Sequence, residues 1–298
     1  MILKIEPENA GRRLDKFLFS YLNNAPHSFI YKILRKKQIK LNGAKVKGSE
    51  LLQAGDELRF FLSDETIEGC RKEIAFEKAE PLTGIIFEDE NILVVNKPAG
   101  LPSQGGMKKA DHLLARILFY LQKNDCGICN RLDVNTSGLV VCGKNPAALK
   151  KINSSFANRE VKKEYLAVVC GIAGEKNTTH TLEGFYHKNE KTNTATVIAG
   201  RNPHAVTNKP VITVYTVLAV SKKYSLISVS PITGRSHQIR AHLASVGHPL
   251  SGDKKYGGSA TSFATAQLLH CLKLSIPEFG TFTAPLPKGF EECIQKNF

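Results

Sequence analysis

The chain has 298 residues, 42% hydrophobic and 23% charged, which is the balance of a soluble globular protein with room for one large domain or two and excludes a disordered chain. No apolar run reaches the eighteen residues of a membrane span, and Met1–Pro7 has neither a basic nor an apolar leader region, so no signal peptide and a cytoplasmic location are expected. A formal net charge of +14 calls for a polyanionic partner, and without a long basic amphipathic helix or a lipidation motif nucleic acid ranks ahead of a membrane surface.

The first sixty or so residues read as a separate module. Leu14, Phe17, Leu18 and Leu22 share a face at helical spacing. A second helix follows with Phe29, Ile30, Ile33 and Leu34 on its apolar face, and Ser28 is placed to cap it. Short strands are expected at 39–41, 46–47 and 57–61, with a turn at Asn42-Gly43. Arg35, Lys36, Lys37, Lys40, Lys45 and Lys47 fall in this region with no acid among them. Cations at the end of a helix are often only solvated and favoured by its dipole. This run continues through the turn into the next strand, which makes one basic surface suited to phosphate.

Residues 63–80 are charged and aperiodic, so they read as a linker, and a larger domain occupies 81–298. Apolar strands are expected at 85–87 and 92–95, helices over about 111–122 and 147–156, and strands at 165–169, 211–220 and 224–229. Strands in runs with occasional helices predict an α+β fold, a mixed and mainly antiparallel sheet flanked by helices. The seven cysteines are scattered, as reduced thiols would be. Cys126 and Cys129 form a single CxxC with no second pair, which favours small buried residues over a zinc site.

The run Asn130-Arg131-Leu132-Asp133-Val134-Asn135-Thr136-Ser137-Gly138 feeds into the apolar Leu139-Val140-Val141. By itself Asp133 would be a turn residue satisfying nearby backbone N–H groups. Asn96-Lys97-Pro98-Ala99-Gly100 signals a turn, and Lys163-Glu164-Tyr165 an edge or core strand. His237, His242 and His248 are spaced by five and six, which does not put metal ligands on one helix face as an i, i+4 pair would. Ser236 and His237 are adjacent on a helical stretch and point apart, so a catalytic pair is rejected too.

Taken together and in order, these pieces closely resemble the RluA family of RNA pseudouridine synthases. The match rests on Asn130 to Gly138, on Lys97-Pro98-Ala99-Gly100, on Lys163-Glu164-Tyr165, on Thr233-Gly234-Arg235-Ser236-His237-Gln238-Ile239-Arg240, and on the weaker Gly252 to Gly257 and Ala284 to Pro287. The family's leading His is Asn130 here. In the N-terminal part, Arg13-Leu14-Asp15-Lys16-Phe17-Leu18, Ile33-Leu34-Arg35-Lys36, Leu41-Asn42-Gly43 and Ala54-Gly55-Asp56 resemble the S4-type RNA-binding domain, assigned to residues 1–62. The stretch Ala25-Pro26-His27-Ser28 to Lys36 is similar to the RluC type, and family members with this N-terminal domain often act on ribosomal large-subunit RNA.

The resemblance implies a pseudouridine synthase fold and specific roles. Asp133 would be the catalytic carboxylate, Arg235 its cationic partner, and Tyr165 the residue packed against uracil. Arg131 would enter the space left by a flipped nucleotide, with Lys163, Ile239 and Lys97 contacting substrate. The expected reaction is isomerisation of uridine in 23S rRNA. It moves no electrons and adds no atoms, so no cofactor and no metal are expected. One carboxylate near C1′ can attack the sugar or stabilise its developing charge. A synthase acting on tRNA, and an RNA-binding ribosome-assembly factor without activity, are the alternatives. A nucleoside hydrolase would need a second marked carboxylate, which the sequence does not offer.

Overall fold

The computed structural model describes residues 1–71, 79–105, 111–123, 125–189, 192, 194–198, 209–263 and 266–298. One compact unit comprises Met1–Lys78 with Asn145–Ala147, and the other comprises Ala79–Lys144 with Ala148–Phe298.

The first unit runs β1 (Ile2–Lys4), α1 (Leu14–Tyr21), α2 (His27–Arg35), β2 (Ile39–Leu41), β3 (Ala44–Lys45), β4 (Glu57–Phe60) and α3 (Asp64–Gly69). Its sheet has the order β1-β4-β2-β3, all antiparallel. Leu14, Phe17 and Leu18 of α1 meet Ile30, Ile33 and Leu34 of α2 in one core with Ile39, Leu58 and Phe60 of the sheet. Asn42 and Gly43 link β2 to β3 with φ of +49° and +78°. That backbone closes a two-residue hairpin whose second position favours glycine.

Two expectations are corrected here. Ser28 does not cap α2: the helix starts at His27, and Pro26 occupies the capping position with extended backbone, pre-set by its ring. The stretch read as linker opens with α3, capped by the Ser63 hydroxyl, which accepts from the Thr66 N–H. Ile67 is the one fully buried side chain of α3 and joins the first unit's core. A six-residue helix with one buried position has no visible period, so charge dominates its sequence. The rest of that stretch, 72–78, lies outside the described residues.

The second unit contains β5 (Ile85–Glu88), β6 (Ile92–Lys97), α4 (Leu113–Leu121), β7 (Gly127–Ile128), β8 (Ser137–Gly143), all but the first two residues of α5 (Pro146–Ala157), β9 (Lys162–Cys170), β10 (Thr179–Asn189), β11 (Thr194–Ile198), β12 (Lys209–Val220), β13 (Tyr224–Pro231), α6 (Gln238–Ser245), β14 (Leu269–Ile276), β15 (Gly280–Thr283) and α7 (Lys288–Asn297). Its 11-stranded sheet has the order β11-β10-β12-β13-β9-β14-β8-β6-β5, with β15 on β14 and β7 on β8. Only the β14–β8 pairing is parallel among these, so the fold is the expected α+β with a mixed, mainly antiparallel sheet. β8 is buried along its whole length, as its apolar run requires.

Strand alternation sets where the site can lie. On β9, Leu166 and Val168 pack with Phe290 and Cys293 of α7. Ala167 and Val169 pack with Ile239 and Leu243 of α6. The two helices therefore cover opposite faces. Tyr165 and Lys163 share the parity of Ala167 and fall on the α6 face.

Candidate active site

The Asp133 loop joins β7 to β8 and is tied down on both sides. Before it, Asn130 accepts from the Val141 N–H and donates to the Leu139 carbonyl, stitching the loop to β8. The residue in the place of the family's His thus acts as a bracket. Leu132 is buried in the core, and its N–H and carbonyl both engage the Ser103 hydroxyl. After it, the Val134 carbonyl accepts from Lys97 Nζ at 3.0 Å and from the Gly100 N–H, and the Thr136 N–H closes a turn onto the Asp133 carbonyl. At Gly138, with φ of +112°, a Cβ would stand 2.3 Å from the Cys271 carbonyl oxygen. Only glycine lets β14 pair with β8 at the foot of the loop.

Anchored this way, Asp133 faces a cleft of about 1170 Å³ lined by Arg131, Lys163, Tyr165, Arg235, His237, Ile239 and Arg240, among others. The cationic partner of Asp133 is Arg240, whose Nη1 donates to Oδ2 at 2.9 Å. This corrects the assignment to Arg235. Arg235 precedes α6 in an exposed turn that lines the cleft, where its N–H is held by the Gln238 side chain. Arg240 sits one turn further on, inside the helix and 7% exposed. Its Nε and Nη2 grip both oxygens of the buried Asp253. Burial works against the Arg240 charge, but its bonds to Asp253 and then Asp133 outweigh it and leave its pKa above the ordinary value.

Lys97 is corrected as well. It is fully buried and does not line the cleft. Its ammonium donates to the carbonyls of Pro98, Leu101 and Val134, so it fastens the turn after β6 to the Asp133 loop. Burial pushes its pKa down to about 7, opposed by the Asp133 carboxylate. It holds the loop from outside the cleft lining.

The remaining expected residues share the cleft wall. Arg131 is exposed and makes no ion pair among the described residues. Burial lowers the Lys163 pKa. Tyr165 is held well above the ordinary tyrosine value, first by burial and then by the Cys271 thiol and Asp133. Its hydroxyl is therefore neutral at physiological pH, and its ring packs against two neighbouring cores, one with Cys271 and one with Ile239. Ile239 adds an apolar surface nearby, 7% exposed. In the first unit, Arg35, Lys36, Lys37, Lys45 and Lys47 are exposed, and Lys40, beside the Phe61 ring, faces Lys45 across the β2–β3 hairpin.

Three residues escape a reading of the sequence: Asp253, His237 and Tyr256. Asp253 is visible there as an acid between Gly252 and Lys254, but nothing marks it as buried. His237 Nδ1 bonds the Tyr256 hydroxyl at 2.9 Å, and its Nε2 lies 3.9 Å from Asp133 Oδ2. The other two histidines of the set spaced by five and six have partners of their own: His242 bonds Thr213 and His248 the Cys170 carbonyl.

The family described as RNA pseudouridylate synthase matches residues 91–245, and the S4 domain matches residues 12–58. The chain is 33% identical to the ribosomal large subunit pseudouridine synthase C of Vibrio parahaemolyticus, over 97% of this chain and 94% of that one. It is 29% identical to the protein of that name from Escherichia coli K12, over 99% and 96%. The solved structure of human RNA pseudouridylate synthase domain containing 4 shares the fold, with a TM-score of 0.58 at 23% identity over 72% of this chain and 92% of that one. This chain belongs to the RNA pseudouridylate synthase family, with an S4 domain at its N-terminal end.

Proposed function

We propose that the chain converts uridine to pseudouridine in ribosomal large-subunit RNA, with Asp133 as the catalytic carboxylate. The observation that carries this reading is a carboxylate fixed by a buried arginine at the floor of an open cleft, with one oxygen left for substrate. Arg240 occupies Oδ2, and Oδ1 has no hydrogen-bond partner among the described residues. An oxygen placed so can attack C1′ of the ribose or stabilise positive charge there as the N1–C1′ bond breaks. The base then turns and rejoins through C5, N1 gains a proton, and the C5 proton leaves to solvent. Atoms balance without an added reagent.

The target uridine must leave its stack to reach Asp133, at a cost of a few kcal/mol. Arg131, exposed beside Asp133, suits the vacated space, where a planar guanidinium can stack and reach phosphate. Tyr165 and Ile239 offer flat apolar contact for uracil, and Lys163 a donor at the same wall. Arg35, Lys36, Lys37, Lys40, Lys45 and Lys47 would hold flanking phosphates. The large-subunit preference follows the relatives' names.

The reading is tested by incubating the protein with unmodified large-subunit rRNA and with tRNA, then mapping pseudouridine by carbodiimide adducts and primer extension. A new stop in the rRNA alone supports it. A stop in tRNA alone moves the substrate, and tight binding with no stop in either points to an inactive assembly factor.

A further inference from the structure

The Ala195 N–H of β11 donates to the Tyr256 hydroxyl oxygen at 2.8 Å. With that oxygen already accepting, the phenol proton has one acceptor among the described residues, His237 Nδ1 at 2.9 Å. A bare Nδ1 puts the proton of the neutral imidazole on Nε2. Burial first lowers the His237 pKa, with Asp133 opposing, which fits the neutral ring. The tautomer is thus set by a chain that starts at a β-strand backbone.

Nε2 lies 3.9 Å from Asp133 Oδ2, too far for a hydrogen bond, so this N–H finds no partner among the described residues and faces the cleft. The backbone of His237 has φ of +56°, the left-handed region that a residue with a Cβ seldom adopts. The ring's position is therefore maintained against local preference.

Oδ2 of Asp133 is taken by Arg240, so C1′ of a bound ribose approaches Oδ1. The ribose oxygens nearest C1′ are O4′, bonded to it, and the 2′-hydroxyl, one carbon further, and these are the candidate acceptors for Nε2–H. A donor on O4′ would oppose the positive charge spreading onto that atom in the transition state. A donor on the 2′-hydroxyl oxygen acts one bond further from that charge and opposes it less, and it leaves the hydroxyl's own proton free. We propose that His237, oriented by Tyr256, donates its Nε2–H to the 2′-hydroxyl of the target nucleotide and makes the site specific for ribose. This rests on Asp133 acting at the sugar.

The test is a substrate-and-enzyme cycle on full-length rRNA assembled with either uridine or 2′-deoxyuridine at the mapped target, read as single-turnover pseudouridine formation. Wild type is expected to favour uridine by about tenfold or more, the scale of one hydrogen bond. His237→Ala is expected to slow the uridine substrate by a similar factor and to bring the two substrates together. His237→Gln, which keeps a donor, should recover part of the preference. The isosteric Tyr256→Phe frees the tautomer and should weaken the preference without unfolding the protein. An undiminished preference in His237→Ala or, should that variant not fold, in Tyr256→Phe overturns the proposal. Full turnover by Asp133→Asn would instead sink the reading beneath it.

Discussion

Arg240 holds Asp133 and Asp253 with a single guanidinium, by one bond to the first at 2.9 Å and two to the second at 2.7 and 2.9 Å. Its Cζ also lies 4.9 Å from the centre of the Tyr256 ring. The cleft carboxylate is therefore oriented by a cation that is itself oriented by a deeper carboxylate. Removing Arg240 strands Asp253, which is 2% exposed. Arg240→Met is expected to lose catalysis and roughly 3–5 kcal/mol of stability, the usual cost of orphaning a buried charge. Arg235→Met is expected to raise KM with kcat largely intact. Steady-state kinetics and urea melts on both variants distinguish the two arginines.

Lys97 gives a stability signature that depends on pH. The folded chain releases its proton near 7, while the unfolded chain keeps it to about 10.5. Between those values the unfolded state binds more protons, so stability rises with pH through this window. Wild type should gain on the order of a few kcal/mol over it from this residue, and Lys97→Met should lack the gain. Urea melts from pH 6.5 to 10 check the slope. The Met variant should also lose activity, since the Val134 end of the Asp133 loop is released.

Tyr165 is half-buried beside Cys271, with its pKa well above the ordinary value. It is expected to act as a flat neutral ring. Tyr165→Leu should cost more in kcat/KM than Tyr165→Phe, and ultraviolet titration should show no tyrosinate from this residue below about pH 10. A tyrosinate signal near neutrality that disappears in Tyr165→Phe would contradict this.

The basic surface of the first unit should appear in the salt dependence of RNA binding. Replacing Lys36, Lys40 and Lys45 with Gln is expected to weaken affinity at low salt. It should also reduce the slope of log K against log salt by about 0.7–0.9 for each phosphate no longer neutralised. An unchanged slope would remove these residues from the interface.

Much of the fold is legible in the sequence because burial writes a simple pattern. The runs in β6 and β8 are apolar throughout, and Leu14, Phe17 and Leu18 repeat at helical spacing. What the sequence hides has a common cause, since charge in a sequence does not reveal depth. Lys97 and Asp253 look like surface groups and are buried, and α3 looks like linker because it offers one core residue. The choice between Arg235 and Arg240 turns on the same point. Ile239, Ala241 and Leu243 around Arg240 mark an inward helix, whereas Gly234 and Ser236 around Arg235 mark an exposed turn.

The most direct measurement is tritium release from large-subunit rRNA labelled at uridine C5, comparing wild type with Asp133→Asn at equal RNA occupancy. The account predicts release by wild type and none above background by the variant. Release at the wild-type rate by Asp133→Asn would contradict it.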